Sequence, residues 1–499
     1  MSGPAPLPSA FVCEALGLEA AAGAERTFAS VCADSREAGP DALFVALPGE
    51  RTHGFEHLED AGARGATGAI VPADRVPPDL DLEWFPVEDP LRALGDLAAA
   101  VRRRSEARVV GITGSSGKTT VKEMLSAALT ADRTVHATRG NLNSLVGLPL
   151  TILAAPAHAD VWVLELGANA PGEIARLTEI AAPDDAVITT VGSAHLEKFG
   201  SVGRVLQEKL DLVRGADPRG AVVVGEEPPE LPAAARGIRP DAVVAGLGPD
   251  ADYRPDRHRW DAAEASFERG GVSWRVAAGG VHHLRDALLA AAVAEAVGTS
   301  AAAAARGLAG FEPLGWRGAV RTLDGLTLVA DCYNANPDSF DAVIDYCVGA
   351  FPDRPLAAAV GSMLELGESG PRAHAAVARR LLEAGFGPIV AAGDFVGAFR
   401  ELAGDGARGA EAASARRAGP VVAAGSSEEA GRILADLLRG DEVVLVKGSR
   451  GARMERVLER VEETFGARRP VAAVAGASGG GAAPGFPTRG RADRPGGGA

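Results

Sequence analysis

Residues 109–123 read VVGITGSSGKTTVKE, and this stretch decides the fold. It joins a β-branched strand to a loop of glycines and hydroxyl residues, and then to the start of a helix. Gly114 and Gly117 allow a turn tight enough to point backbone N–H groups at an anion, and the helix adds its positive end. The stretch therefore predicts a phosphate-binding loop in which Lys118 reaches the outer phosphates and the Thr119 hydroxyl binds Mg²⁺.

The match to a strict P-loop consensus fails at one position, because Ile112 stands where the consensus has glycine. The alternative is a glycine-rich turn that binds nothing, but the strand–loop–helix context favours the phosphate site. The nucleotide-binding residues predicted in this loop are Gly114, Ser115, Ser116, Gly117, Lys118, Thr119 and Thr120.

The composition limits the class of protein. The chain has 499 residues, of which 46% are hydrophobic, and this is enough for about three domains. Its formal net charge of −15 argues against nucleic acid or an anionic membrane surface as a partner. The four cysteines show no CxxC pair and no metal-like spacing, which indicates a reducing compartment. There is no secretion-type leader and no apolar run of about 18 residues, so we expect a cytoplasmic protein without membrane insertion.

Two alternating series of strands and helices follow one another along the chain. The first has candidate strands at 109–113, 161–166, 186–191 and 221–224, which predicts a parallel sheet with crossover helices. The second has candidate strands at 327–331, 356–361, 389–393, 421–424 and 443–446, which predicts another doubly wound unit. Residues 241–276 look irregular, and an alanine-rich helix follows at about 285–297.

The predicted fold class is therefore α/β with three domains. These are a small α/β N-terminal domain at 1–86, a central P-loop ATPase-like parallel-sheet domain at 87–314 and a C-terminal Rossmann-like domain at 315–465. Residues 466–499 consist largely of Gly, Ala, Pro and Arg, which bury too little apolar surface to fold, so we expect a disordered tail.

Three polar residues of the central unit are candidates for chemistry. Glu165 closes the apolar strand VWVLEL and His195 follows the next strand, so both are expected at the carboxyl edge of the sheet. A carboxylate there can bind Mg²⁺, and the shared sheet edge favours this interpretation over the alternative of a purely structural Glu165 and His195. Lysine is rare here, with five lysines among 51 basic residues. Lys209 reads on its own as an exposed lysine, but a neutral amine can also react with CO₂ to give a carbamate, an Mg²⁺ ligand that no arginine provides.

The C-terminal unit carries two further polar loops. In DCYNANP, at 331–337, Asp331 is predicted to hold a ribose hydroxyl, and Asn334 and Asn336 to cap the next helix or donate hydrogen bonds. In VVLVKGSRG, at 443–451, a strand leads into a basic loop with Lys447 and Arg450. Two anion sites on separate domains indicate a substrate that contacts both domains.

In this order, these segments resemble the Mur ligase family, and within it the branch that adds D-Ala-D-Ala. The combination of YNANP, ELG and KGSRG is typical of that branch. The matching pieces are DSR (34–36), LFVALPGERTHGF (43–55), GITGSSGKTT (111–120), GNLNSLVGLPLTIL (140–153), ELGANAPGEI (165–174), AHLEKFGS (194–201), YNANPDS (333–339), MLELGE (363–368) and KGSRGARME (447–455).

The resemblance implies a UDP-binding first domain, a central ATPase and a C-terminal domain for the incoming amine. It implies the use of ATP and two Mg²⁺ ions in peptidoglycan precursor synthesis. Nothing in the sequence demands more than a monomer, so a monomer is expected. The terminal carboxylate of UDP-N-acetylmuramoyl-tripeptide takes the γ-phosphoryl group, and the amine of D-Ala-D-Ala then displaces phosphate from the acyl phosphate.

The resemblance also implies roles for single residues. The catalytic and metal-binding set comprises Lys118 and Thr119 with Glu165 at the first Mg²⁺, and His195 and a carbamylated Lys209 at the second. Arg317 contacts ATP and Asp331 its ribose. The UDP-peptide set is Ser35, Arg36, Asn141 and Asn143, and the amine-substrate set is Asn334, Asn336, Lys447 and Arg450.

Several positions depart from the family pattern. After the strand at 221–224, this chain has Gly225-Glu226 where the family usually has Asn. The family's HNxxNA reads HHLRDA here, with Asp286 for the second Asn, and Ser362 replaces the Asp of the family's GDMxELG. The family's KGE reads KLD at 209–211.

Two alternative functions remain open. One is a sister or folylpolyglutamate-like ligase that adds a single amino acid, and the other is a non-catalytic relative that binds UDP-peptide. A P-loop kinase or GTPase is disfavoured, because no GTPase-like base-reading motif follows the loop.

Overall fold

The computed structural model describes residues 3–19, 26–49, 52–313, 315–405 and 419–466. Within these residues, three mainly parallel sheets follow one another along the chain, with helices between their strands. The predicted α/β class is confirmed. Most of the predicted tail, residues 467–499, lies outside the described residues, whereas Gly466 ends the last helix.

The first unit is a four-stranded parallel sheet in the order β3-β4-β5-β6, beside a short antiparallel pair, β1 and β2. Its strands are β1 Leu7–Pro8, β2 Thr27–Phe28, β3 Ser30–Cys32, β4 Ala42–Val45, β5 Ala66–Pro72 and β6 Glu83–Val87, and its helices are α1 Ser9–Leu16 and α2 Leu58–Ala63. The predicted boundary after residue 86 falls one residue before the end of β6, and the division into domains stays a prediction.

The second unit is a six-stranded parallel sheet in the order β12-β11-β10-β7-β9-β8. Its strands are β7 Arg108–Thr113, β8 Val135–Ala137, β9 Val161–Glu165, β10 Asp185–Ile188, β11 Val222–Gly225 and β12 Val243–Ala245. Its helices are α3 Pro90–Arg104, α4 Lys118–Leu129, α5 Gly147–Leu153, α6 Glu173–Ala181, α7 Leu196–Phe199, α8 Val202–Gly215, α9 Glu230–Ile238, α10 Val281–Ala296 and α11 Ala301–Leu308. Because β7 lies between β10 and β9, the segments that follow these three strands meet at one edge of the sheet.

Residues 241–276 are more regular than the sequence predicts. They contain β12 and a three-stranded antiparallel sheet of β13 Arg257–Trp260, β14 Ala265–Arg269 and β15 Val272–Val276. One face of this sheet buries Phe267 and Trp274, whose rings stack 5.4 Å apart. The charged residues that alternate with them face outward, and they hide the apolar pattern in the sequence.

The third unit is a six-stranded sheet in the order β16-β17-β21-β18-β19-β20, in which only β16 runs antiparallel to its neighbour. Its strands are β16 Arg317–Leu323, β17 Leu326–Asp331, β18 Leu356–Val360, β19 Phe386–Ala392, β20 Val421–Ala424 and β21 Val443–Lys447. Its helices are α12 Pro337–Ala350, α13 Gly370–Glu383, α14 Asp394–Asp405, α15 Ser427–Leu437 and α16 Glu455–Gly466.

The packing joins the first two units. One apolar cluster contains residues of the first unit, such as Phe11 and Val45, together with Leu94 and Ile152 of the second unit. The other face of the central sheet packs against α4 and α10. The four cysteines are all buried and unpaired, and no helix among the described residues is long and apolar enough to cross a bilayer.

Candidate active site

The loop between β7 and α4 has the conformation that its glycines predict. Gly114 has a φ of +153°, and a Cβ there would lie 2.0 Å from Thr189 Oγ1. Gly117 has a φ of +81°, and a Cβ there would lie 2.7 Å from Asp286 Oδ1. Both positions therefore exclude a side chain, and α4 begins directly after them at Lys118.

The segment after β10 braces this loop. The Ser115 N–H donates to the Thr190 carbonyl oxygen at 2.8 Å, and the Ser116 N–H donates to Thr190 Oγ1 at 3.2 Å. In return, the Gly192 N–H donates to Ser115 Oγ at 2.9 Å. The loop is thereby fixed to the same strand end that leads to His195.

Lys118, Thr119 and Glu165 come together at the carboxyl edge of the central sheet. The Lys118 ammonium donates to the Gly114 carbonyl oxygen at 2.7 Å, and its burial lowers the pKa of Lys118. The Thr119 hydroxyl donates to Glu165 Oε2 at 2.9 Å, and Glu165 is buried. The carboxylate thus lies directly below the first turn of α4, as the sequence predicts.

Arg317, at the start of β16, reaches this group from the C-terminal unit. Its Nη1 donates to Thr119 Oγ1 at 2.8 Å, and its guanidinium carbon lies 3.6 Å from the centre of the Tyr333 ring. Arg450 lies over the same ring at 5.1 Å. Two arginines of the C-terminal unit therefore flank Tyr333, and one of them contacts the phosphate loop of the central unit.

Asn143 contacts Glu165, and its predicted contact with the muramoyl peptide stays a prediction. Asn143 Nδ2 donates to Glu165 Oε1 at 2.7 Å. A Cβ on Gly167 would lie 2.8 Å from the Asn143 carboxamide carbon, so the glycine in ELG makes room for this amide. Asn141, on the same loop, is exposed. Asn143 and Thr119 thus hold the two oxygens of Glu165.

These groups fit a hard divalent cation. A hydroxyl oxygen and a buried carboxylate next to a phosphate loop are the oxygen ligands that Mg²⁺ prefers. Among the described residues, no group of three or more His, Cys, Asp or Glu side chains could hold a metal ion. A cation here would therefore take a mixed set of ligands, in keeping with the way Mg²⁺ shares its shell with substrate phosphates and water.

His195 meets a residue that the sequence alone does not single out. It precedes α7 with a φ of +54°, and its Nδ1 pairs with the carboxylate of Glu365 from the C-terminal unit. This hydrogen bond holds the pKa of the Glu365 carboxyl below its usual range. Glu365 belongs to MLELGE, but only the folded chain brings it to His195.

Lys209 is buried on α8, with 3% of its surface exposed, so the exposed-lysine alternative is wrong. Burial, together with the nearby positive charge of Lys118, lowers the pKa of Lys209 to about 7. The neighbouring Glu208 accepts hydrogen bonds from the N–H groups of Gly172 and Ile174 at 2.9 and 2.8 Å. Glu208 therefore caps α6. With a pKa of about 7, about half of the Lys209 amine is neutral at pH 7.

Two of the residues that are predicted to bind the amine substrate, Lys447 and Asn336, make polar contacts within the chain. Lys447 is fully buried and forms an ion pair with Asp331, the predicted ribose ligand. Asn336 caps α12, since its Oδ1 accepts from the Ser339 N–H at 2.8 Å, and its Nδ2 lies 3.3 Å from Ser116 Oγ. Asn336 is thus both the predicted cap and a link to the phosphate loop.

The predicted UDP-side residues lie on the first unit, in the 3₁₀ turn Ser35–Glu37. Ser35 is buried, and its side chain hydrogen-bonds to Asp60. Arg36 is exposed and pairs with Asp34, its Nε donating at 2.9 Å. Both therefore make local contacts, and their role toward a UDP group stays a prediction.

Of the departures at Gly225-Glu226, Asp286 and Ser362, only Asp286 meets the phosphate loop. Its carboxyl faces Gly117, and burial raises the pKa of Asp286 to about 8. Glu226 instead accepts hydrogen bonds from the Gly248 N–H at 2.7 Å and from Arg285 at 3.0 Å. Ser362 Oγ accepts from the N–H of Asp394 at 2.9 Å, at the start of α14.

Comparison with known proteins covers all three units. Residues 27–102 match the "Mur ligase family, catalytic domain", residues 112–294 the "Mur ligase middle domain" and residues 317–450 the "Mur ligase, glutamate ligase domain". The UDP-N-acetylmuramoyl-tripeptide--D-alanyl-D-alanine ligase of Escherichia coli is 32% identical over 456 residues, covering 88% of this chain and 95% of the relative.

Two of the similar solved structures align with most of the chain. A MurF crystal structure from Acinetobacter baumannii aligns with a TM-score of 0.81 and 28% identity, covering 92% of this chain and 99% of that one. MurF ligase from Thermotoga maritima, in complex with ADP, aligns with a TM-score of 0.75 and 30% identity, covering 88% of this chain and 98% of that one.

Proposed function

This chain belongs to the Mur ligase family, and on that premise we propose that it joins D-Ala-D-Ala to UDP-N-acetylmuramoyl-tripeptide at the expense of ATP. The relative and the two structures with which it aligns over most of its length bear the name of that ligase. Membership of the family makes the chain an ATP-dependent ligase. The substrates, the roles of single residues and the cytoplasmic compartment are part of the proposal.

The observation that carries the proposal is the contact between Arg317 and Thr119. Thr119 belongs to the phosphate loop of the central unit, and Arg317 begins the first strand of the C-terminal sheet. A guanidinium at the first turn of α4, beside a lysine and a buried carboxylate, suits the charge that develops when a phosphoryl group is transferred. The contact also brings the central and C-terminal units together at the phosphate loop.

The proposed reaction has two steps. A carboxylate oxygen of the tripeptide attacks the γ-phosphorus of ATP, the bond to the β–γ bridging oxygen breaks, and ADP leaves. The amine of D-Ala-D-Ala then attacks the acyl carbon, the carbon–oxygen bond to phosphate breaks, and inorganic phosphate and a proton are released. The chain has to hold two anions in line and neutralise their charge, which positioning and electrostatics can achieve.

We assign Lys118 and Arg317 to the phosphoryl oxygens, and Thr119 and Glu165 to the first Mg²⁺. We assign His195 and a carbamylated Lys209 to the second. When bound, the two ions would neutralise developing negative charge on the transferring group. Asn143 contributes by holding the Glu165 carboxylate in place.

The carbamate at Lys209 is a separate part of the proposal. In its formation, the amine nitrogen attacks the carbon of CO₂, an N–C bond forms, and one proton leaves the nitrogen. Only a neutral amine reacts. With a pKa of about 7, roughly three quarters of Lys209 is neutral at pH 7.5, against about 0.1% for an ordinary lysine. Burial thus prepares this amine for the reaction.

Replacing Lys209 tests the carbamate. Lys209→Ala should lose most of its activity and regain part of it with added formate or acetate, which supply the missing carboxylate. Lys209→Arg should also fail, although it keeps the positive charge. Labelling the wild type with ¹³CO₂ should give a carbamate signal in the ¹³C NMR spectrum that both variants lack. Full activity of Lys209→Ala without added carboxylate would rule the carbamate out.

ADP release with a panel of amines tests the proposed substrate. The purified protein is given ATP, Mg²⁺ and UDP-N-acetylmuramoyl-tripeptide with D-Ala-D-Ala, D-Ala or L-glutamate. We expect ADP release only with the dipeptide. Release with a free amino acid but not with D-Ala-D-Ala would favour the sister or folylpolyglutamate-like ligase, and failure to bind ATP would favour a non-catalytic UDP-peptide-binding protein.

A further inference from the structure

The contact between His195 and Glu365 joins two different units of the chain. His195 follows β10 of the central sheet, whereas Glu365 lies in the loop that follows β18 of the C-terminal sheet. The histidine side chain is 23% exposed and the glutamate side chain 55%, so solutes can reach the pair.

The Glu365 loop is fixed to its own unit. The Met363 N–H donates to His374 Nε2 at 2.9 Å, and the Leu364 N–H donates to Ser449 Oγ at 3.0 Å. Glu365 itself has a φ of +66°, a conformation that a non-glycine residue keeps only where the surrounding contacts impose it. The carboxylate therefore moves with the C-terminal sheet.

Two further hydrogen bonds join the His195 segment to the C-terminal unit, one to the Glu365 backbone and one to a side chain of α12. The Glu197 N–H donates to the Glu365 carbonyl oxygen at 3.1 Å, and the Ser193 N–H donates to Asp338 Oδ2 at 2.7 Å. Both donors flank His195, and both acceptors belong to the C-terminal unit. Docking of that unit thus fixes the His195 loop at three points.

The chemistry of the pair defines the state of the imidazole ring. A carboxylate only accepts hydrogen bonds, so the proton between the two groups is on Nδ1 of His195. In the neutral ring this leaves the lone pair on Nε2, the nitrogen that points away from Glu365. A histidine whose second nitrogen is held by a carboxylate is the usual arrangement of metal-binding histidines, since it fixes both the tautomer and the ring orientation.

We infer that Glu365 is a positioning residue, which fixes the His195 ring for the second divalent cation and so completes that cation's site only when the C-terminal unit docks. The inference rests on the proposed function, which assigns this cation to His195. It deepens that proposal, because binding of the second cation and closure of the two units become one event.

Manganese binding tests the inference without relying on activity. Mn²⁺ is titrated into the full-length protein with the β,γ-methylene analogue of ATP, and free Mn²⁺ is measured by EPR. The wild type should bind two ions. Glu365→Ala should keep the tighter ion and bind the other about 10- to 100-fold more weakly. The matched control is Glu368→Gln, an exposed glutamate on the same loop, which should bind both ions as the wild type does.

Glu365→Gly separates positioning from folding. Glycine adopts a φ of +66° without strain, so this variant should keep the melting temperature of the wild type and still lose affinity for the second Mn²⁺. The ¹⁵N shifts of the His195 ring, identified by their loss in His195→Ala, should change from the Nδ1–H tautomer to a mixture of tautomers. Unchanged affinity for both ions in Glu365→Ala and Glu365→Gly would overturn the inference.

His195→Ala shows whether a negative result contradicts the assignment of a cation to His195 or only the positioning role of Glu365. If this variant also binds both ions as the wild type does, the proposed assignment of a cation to His195 is wrong. If it loses the second ion while Glu365→Ala keeps it, the cation assignment holds, and only the positioning role of Glu365 fails.

Discussion

Replacing Asp286 with asparagine should stabilise the protein, and by more as the pH rises. The residue Asp286 is 9% exposed, and burial raises the pKa of its carboxyl from a usual 3.8 to about 8. The folded chain therefore holds a proton between about pH 4 and pH 8 that the unfolded chain has released. Because the folded state binds more protons in this window, the stability of the wild type falls as the pH rises through it.

The size of the effect follows from the two pKa values. Each pKa unit corresponds to about 1.4 kcal/mol, so keeping Asp286 neutral costs about 2 kcal/mol at pH 5, about 4 at pH 7 and about 5 at pH 8. Asparagine has nearly the same shape and no such cost. Any fixed difference between the amide and the acid cancels when the two proteins are compared across pH.

Urea unfolding of both proteins from pH 5 to pH 8 measures this difference. The stability advantage of Asp286→Asn should grow by roughly 3 to 4 kcal/mol over that range. Glu312→Gln, a change at an exposed position, should show no comparable growth. An advantage of Asp286→Asn that stays constant with pH would refute the argument that this carboxyl is neutral in the folded chain.

Three further substitutions test the site. Arg317→Lys should lower kcat by about 10²- to 10³-fold, since a lysine loses both the threonine contact and the ring contact, whereas Arg321→Lys should have little effect on steady-state rates. Asn143→Ala should raise the Mg²⁺ concentration for half-maximal ADP release about 10-fold, and an unchanged Mg²⁺ titration would contradict its positioning role. Gly117→Ala should abolish nucleotide binding in a fluorescence titration. Gly172→Ala also alters a left-handed glycine that precedes a helix, but it adds a Cβ in open space and should keep nucleotide binding.

The centre of the site could be predicted because it depends on local sequence and one topological rule. Lys118 and Thr119 follow a strand and a glycine loop, and Glu165 ends the neighbouring parallel strand, so all three meet at one sheet edge. His195 follows the strand on the other side of the loop, for the same reason. No long-range information is needed to place them.

The remaining parts depend on contacts between distant segments. Glu365 reaches His195 across 170 positions of the chain, and the hydrogen bond from Asn143 to Glu165 is likewise visible only in the folded chain. Asp286 looks like a departure from the family pattern, and only the fold shows that it faces the phosphate loop. The sheet at 257–276 is hidden because its outward positions carry arginine and glutamate.

The central claim is that ATP activates a carboxylate by transferring its γ-phosphoryl group to it. The most direct measurement uses UDP-N-acetylmuramoyl-tripeptide labelled with ¹⁸O in its terminal carboxylate, together with ATP, Mg²⁺ and D-Ala-D-Ala. Mass spectrometry should show that the product is heavier than the labelled tripeptide by the dipeptide less one molecule of H₂¹⁸O, and that one ¹⁸O atom is present in the inorganic phosphate released with each turnover. Product formed with unlabelled phosphate, or labelled phosphate that accumulates with a single amino acid and not with the dipeptide, would contradict the account.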